Sequence, residues 1–247
     1  MQIKPSLQPL LEMVLHSTLW ISIIFCLFIR LSLEENHLLN QILNGIPKVY
    51  NNIKKPDHKF FADDFGKDIP GSYFNDHYQR LSKMKSNEYG LGHLNYSVRY
   101  ANMLKNLNFK HIFLYRDPRD VLVSLAYFIP EHWTDHPLYE DFKYTHLSSK
   151  VRIQLLITGV PNKFPSFKEY MGPFYMWIKD PNCLHVTFES LIASEQSRRE
   201  AILNILSYLW KGLTPPVPLD RMVLLAESNI NPRQSLVGWS GIGRLGS

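Results

Sequence analysis

The segment Lys110-His-Ile-Phe-Leu-Tyr-Arg-Asp-Pro-Arg-Asp-Val-Leu-Val-Ser124 constrains the fold of this 247-residue chain more than any other. Lys110 to Tyr115 is rich in residues that favour strands and ends at Arg116 and Asp117. From Pro118 onward, Val121, Leu122, Leu125 and Phe128 fall on one helical face. Asp117 suits an N-cap and Pro118 a first helical position. The spacing predicts a buried strand running directly into a helix, with Arg116 at the junction. Open α/β sheets bind phosphorylated ligands at such junctions, beyond the carboxyl ends of strands and over helix N-termini. Arg116 can fork onto a phosphate, and Ser124, two turns into the helix, can donate a hydroxyl to the same group. A solvated strand-helix turn without a ligand is the alternative on spacing alone.

Strands and helices alternate along the rest of the chain. Leu19 to Leu31 is apolar except for Ser22 and Arg30, and reads as a buried first strand. Glu35–Asn44 has helical spacing and Gly45 ends it. Short strands are expected over His58–Ala62 and Tyr89–Leu94, a helix over Val98–Leu107, and the central strand over Phe109–Tyr115. Ser148–Ile157 and Phe167–Ile178 read as helices and Cys183–Phe188 as a strand. Further helices are expected over Arg198–Trp210 and Leu219–Glu227. Between them, Ile129–Tyr144 mixes aromatics, prolines and charges and reads as a long ordered loop, of the kind that forms binding walls or lids. The alternation predicts one α/β domain over residues 1–247, with a central, mostly parallel sheet flanked by helices. Right-handed crossovers would bring His93 and Arg116 to one edge of that sheet.

The order of several motifs matches a known family. The run RDPRDVLVS at 116–124 resembles the segment of sulfotransferases that holds the 3′-phosphate of 3′-phosphoadenosine-5′-phosphosulfate. Gly92-His93-Leu94 resembles their GHLP or THLP segment, which carries a catalytic histidine. Asn182-Cys-Leu-His-Val-Thr-Phe-Glu-Ser-Leu191 resembles their strand ending in YEDL or FEDL. Pro232-Arg233 through Gly238-Trp239 resembles a worn FRKG…GxW loop. The likeness runs over roughly residues 30 to 240. It implies the sulfotransferase form of the P-loop nucleotide-binding fold and that sulfated nucleotide as co-substrate. It also implies His93 as catalytic base, and Arg116, Ser124, Arg233 and Phe188 as nucleotide contacts. Phe188 reads equally well as a core aromatic at a strand end, and His93 alone as a hydrogen-bonded structural histidine. Asn95 stands where the family often has proline. Gln234 and Ser235 stand where lysine and glycine follow the arginine of the C-terminal loop.

The main departure is near the N-terminus. The family's first strand enters a P-K-S-G-T loop whose amides cradle the phosphosulfate and whose lysine steadies the bridging oxygen. Here Leu33, Glu34, Glu35 and Asn36 align with K-S-G-T, so residues 1–36 read as divergent. Two carboxylates would face a dianion. At about 5 Å and an effective dielectric near 20, each pair of unit charges costs about 3 kcal/mol. A rival alignment sets Ser17-Thr18-Leu19-Trp20 against the same loop and leaves the apolar run as a helix.

The formal net charge is +5 and the sequence pI about 9.1, which suits an anionic ligand. No nucleic-acid motif or dense basic block occurs, so no nucleic-acid partner is expected. Cys26 and Cys183 lie in apolar runs and read as buried thiols. The histidines form no ligand pattern. His132 and His136 are spaced i, i+4, but no third ligand is near, so no metal is expected. The N-terminal apolar run is short for a membrane span. A cytoplasmic protein is therefore expected, the alternative being one anchored through residues 19–31. The acceptor, a small molecule or a glycan with a hydroxyl or amine, is not encoded in any readable motif. Three functions fit: an active sulfotransferase, an inactive relative that binds a nucleotide or a partner, and a P-loop kinase. The absence of G-x-x-x-x-G-K-[ST] weighs against the last.

Overall fold

The structure is a computed structural model, and it describes residues 24–28, 33–47, 59–61 and 71–230. Among these residues, five strands form one parallel sheet. They are β1 (Ile24–Phe28), β2 (Lys59–Phe61), β3 (Tyr89–His93), β4 (Lys110–Tyr115) and β5 (Cys183–Thr187), in the spatial order β2-β3-β1-β4-β5. The apolar N-terminal run thus supplies the central strand over residues 24–28, which removes the rival alignment that made it helical. β4 and β5 are direct parallel neighbours, with Tyr115 opposite Thr187. Among the described residues no helix is long and apolar enough to cross a membrane.

The helices are α1 (Leu33–Asn44), α2 (Gly71–Ser82), α3 (Val98–Asn106), α4 (Pro118–His132) and α5 (Tyr139–Tyr144). They continue with α6 (Ser149–Thr158), α7 (Phe167–Tyr175), α8 (Phe188–Ile192), α9 (Glu195–Leu209) and α10 (Leu219–Ser228). Met176–Lys179 adds a turn of 3₁₀-helix after α7. Successive strand side chains point to opposite faces, and β4 shows the result. Phe113 joins a core with Leu104, Leu125, Ile129, Phe142 and Trp177, built mainly on α3 to α7. Ile112 and Leu114 join the other core with Leu39, Ile42, Ile205 and Met222, built on α1, α9 and α10. A strand covered on both sides must be apolar throughout, which is why Phe109–Tyr115 reads so clearly in the sequence.

Two expectations need correction, and one helix is unexpected. Ile129–Tyr144 is not one long loop. α4 continues through Pro130 to His132, and α5 begins at Tyr139. Burial of Ile129, Pro130, Leu138 and Phe142 in the core outweighs the helix-breaking tendency of proline. α2 occupies residues 71–82, between the expected strands, where no element is expected from the sequence. Its core-facing stripe is the buried His77 and Leu81 with the partly buried Phe74, and two of these three are aromatic rings. Cys183–Phe188 ends as a strand at Thr187, whose hydroxyl accepts the Ser190 N–H at 3.2 Å and so starts α8 at Phe188.

The end of α1 is fixed by close approach. A Cβ on Gly45 would lie 2.7 Å from Ala226 Cα on α10, so only glycine lets the two backbones meet there.

Candidate functional site

All five strands run parallel, so their carboxyl ends share one edge of the sheet. Register places the candidate residues along it. Gly92, Leu27 and Phe113 stand in one row across β3, β1 and β4. His93 is one residue past that row and Arg116 three past it. Two strand spacings, about 10 Å, separate their strands. The intervening β1 is followed in the chain by α1. Glu34 and Glu35 therefore lie in the first turn of the helix that follows the central strand.

Arg116 is built into this edge from three sides. The Tyr175 hydroxyl donates to the Arg116 carbonyl at 2.6 Å. The next amide, Asp117 N–H, donates to Glu189 Oε1 at 3.0 Å. The Arg116 guanidinium carbon stands 5.4 Å from the Phe188 ring centroid, within cation–π range. Only 13% of the Arg116 side chain is exposed. Its charge faces two carboxylates at loose range, with Nη2 3.7 Å from Asp120 and Nε 4.0 Å from Glu189. Neither is a close fork, and Nε is buried without a hydrogen-bond partner. A buried donor left in this state costs free energy until an acceptor meets it.

The start of α4 forms as its sequence requires. Asp117 caps the helix by accepting the Arg119 N–H at 2.8 Å, and Pro118 takes the first position. Arg119 pairs with Asp117 through Nε at 3.0 Å. Asp120 faces Arg116 instead. The hydrogen bonds from the Arg119 side chain and backbone pull the Asp117 carboxyl down to about 2. Ser124 is buried on α4, six residues past Pro118, or about 9 Å along the helix axis.

His93 closes β3 and is buried. The turn that follows is pinned from the opposite side. Trp177 Nε1–H donates to the Leu94 carbonyl at 2.8 Å, and Tyr96 N–H to the Pro173 carbonyl at 3.0 Å. Asn95 is buried inside this turn, so the position often held by proline in the resembling family is filled by a packed polar side chain. Arg233 and the rest of residues 231–247 lie outside the described residues.

The structure therefore brings Arg116 and Phe188 together, and places His93 on the same edge two strands away. Sequence reading missed Glu189 and Tyr175. Glu189 lies inside the Phe-Glu-Ser-Leu motif already singled out, so its signal was present. Tyr175 carried none, because its partner is a backbone carbonyl 59 residues away.

A family model described as Sulfotransferase domain matches residues 17–214. No match to a curated protein sequence is found. Among solved structures, mouse sulfotransferase SULT7A1 complexed with PAP is similar with a TM-score of 0.50 and 18% identity. That match covers 85% of this chain and 65% of the mouse chain, so the chain spans less than two thirds of that relative's length. Retinol dehydratase in complex with androsterone and inactive cofactor PAP is similar with a TM-score of 0.49 and 16% identity, over 87% of this chain and 66% of its own.

Proposed function

The chain belongs to the sulfotransferase family, and from that premise we propose that it binds 3′-phosphoadenosine-5′-phosphosulfate and transfers its sulfuryl group to a hydroxyl or amine acceptor. The observation that carries this reading is Arg116. Its side chain is nearly buried at the carboxyl end of β4, with Nε lacking a partner. The 3′-phosphate of the nucleotide supplies the acceptor this donor lacks, so the residues present fit that end of the ligand.

When bound, the nucleotide supplies an activated sulfuryl group and a stabilised phosphate leaving group. The chain's residues do the rest. Arg116 and Ser124 hold the 3′-phosphate and so fix the distance of the sulfur from the sheet edge. Phe188 presents its ring beside Arg116, where an adenine would lie. His93 takes the proton from the acceptor as the new oxygen–sulfur or nitrogen–sulfur bond forms and the bond to the bridging oxygen breaks. A neutral imidazole can accept that proton, which suits His93 to the role of base.

A second reading, nucleotide binding without turnover, is favoured by one observation. The helix following the central strand opens with Leu33-Glu34-Glu35, where two carboxylates oppose the anion attraction of a helix N-terminus. Calorimetry separates the two readings. Titration with 3′,5′-bisphosphoadenosine and then with the sulfated nucleotide should give binding of both, followed by slow loss of sulfate to an acceptor. Binding of the first alone establishes the second reading. Binding of neither rejects both.

A further inference from the structure

We infer that Glu189 is a positioning residue for the nucleotide's 3′-phosphate: it holds the 116–117 turn so that the Arg116 guanidinium stays oriented and undercommitted. The inference rests on the 3′-phosphate reading above. Glu189 sits one residue into α8, directly after β5, and Thr187 at the end of β5 pairs with Tyr115 at the end of β4. The two strand ends are thus locked in register immediately before Arg116 and Glu189 diverge from the sheet.

Past the strand end, the Asp117 amide has left the ladder and needs an acceptor. The Asp117 carboxylate is occupied with the Arg119 amide and guanidinium, so it cannot turn back to help. Glu189 Oε1 fills the need at 3.0 Å. That oxygen lies 4.0 Å from Arg116 Nε, beyond hydrogen-bonding distance. A direct carboxylate fork would have consumed the donors of the guanidinium. Glu189 instead supplies a compensating charge and a fixed backbone, and leaves Arg116 donors for a ligand. Tyr175, holding the Arg116 carbonyl from the other side, makes the peptide between residues 116 and 117 a clamped plane.

The test compares affinities for 3′,5′-bisphosphoadenosine and adenosine 5′-monophosphate, which differ only in the 3′-phosphate. The unaltered protein should prefer the bisphosphate by about tenfold or more, the scale of one charge-assisted hydrogen bond. Glu189→Ala should cut that preference severalfold while leaving the monophosphate affinity in place. Glu189→Gln keeps the acceptor and should retain at least the original preference. In an Arg116→Ala background, Glu189→Ala should change nothing further. Equal weakening of both nucleotides, or an unchanged preference in Glu189→Ala, overturns the role of Glu189. If Glu189→Ala does not fold, Glu189→Asp, which withdraws the carboxylate by one methylene, should show the same selective loss. Absence of any preference in the unaltered protein overturns the 3′-phosphate reading itself.

Discussion

The hydroxyl of Tyr175, at the end of α7, donates a 2.6 Å hydrogen bond to the backbone carbonyl of Arg116, at the end of β4. One bond thereby links the helical layer over one face of the sheet to the residue proposed to hold the 3′-phosphate. Tyr175→Phe removes that donor and keeps the ring contacts with Phe113 and Tyr115. The expected cost is about 0.5–1.5 kcal/mol of stability by urea denaturation. Weaker binding of 3′,5′-bisphosphoadenosine should accompany it. A loss of stability with unchanged binding would show that the bond braces the fold and not the site.

His77 makes stability depend on pH. Burial, helped by the charge of Arg80, lowers its titration to about 4 from an ordinary 6.5. Its ring lies against Phe60 and its Nδ1 is 3.2 Å from the Tyr100 hydroxyl. The unfolded chain binds the proton more readily, so the neutral ring's contribution is complete above pH 6.5 and is lost as the pH falls toward 4. The integrated loss is at most about 3 kcal/mol. Denaturation midpoints taken between pH 7 and pH 4 should fall steadily, and His77→Phe should flatten the slope. An equally steep slope in the variant would assign the dependence to other groups.

His93 is tested by turnover. His93→Ala should lower sulfuryl transfer by roughly 10²–10⁴-fold, the usual contribution of a positioned base. Its effect on bisphosphoadenosine binding should be small. A folded variant with ordinary turnover would require another base.

On the proposed reading, the first turn of α1 meets the sulfated end of the nucleotide. Replacing Leu33 with Lys, Glu34 with Ser, Glu35 with Gly and Asn36 with Thr removes two negative charges and adds a positive one beside a helix N-terminus. Affinity for 3′-phosphoadenosine-5′-phosphosulfate should rise by at least about tenfold. The preference for a 3′-phosphorylated nucleotide over adenosine 5′-monophosphate should stay as it was. An unchanged affinity for the sulfated nucleotide would place its sulfate away from residues 33–36.

Much of this architecture was legible because single local rules decided it. The strand-helix junction at 115–118 combines a buried apolar run, an aspartate cap and a proline, all pointing the same way. The segments that misled were decided by distant contacts. Pro130 is carried inside a helix by burial, and α2 hides its apolar stripe behind a histidine whose partners, Phe60 and Tyr100, are remote in sequence. The site divides in the same way. Arg116 and His93 announce themselves at the ends of strands, whereas Tyr175 and Glu189 matter through backbone atoms they reach only after folding.

Arg116→Ala, titrated with 3′,5′-bisphosphoadenosine in a calorimeter beside the unaltered protein, tests the nucleotide site most directly. The expected result is a folded variant whose binding is weaker by about 1.5–3 kcal/mol, the value of a charged hydrogen bond. Adenosine 5′-monophosphate should bind both proteins alike. Unchanged affinity for the bisphosphate in a stably folded variant would contradict the assignment of the β4 edge as the site of the 3′-phosphate.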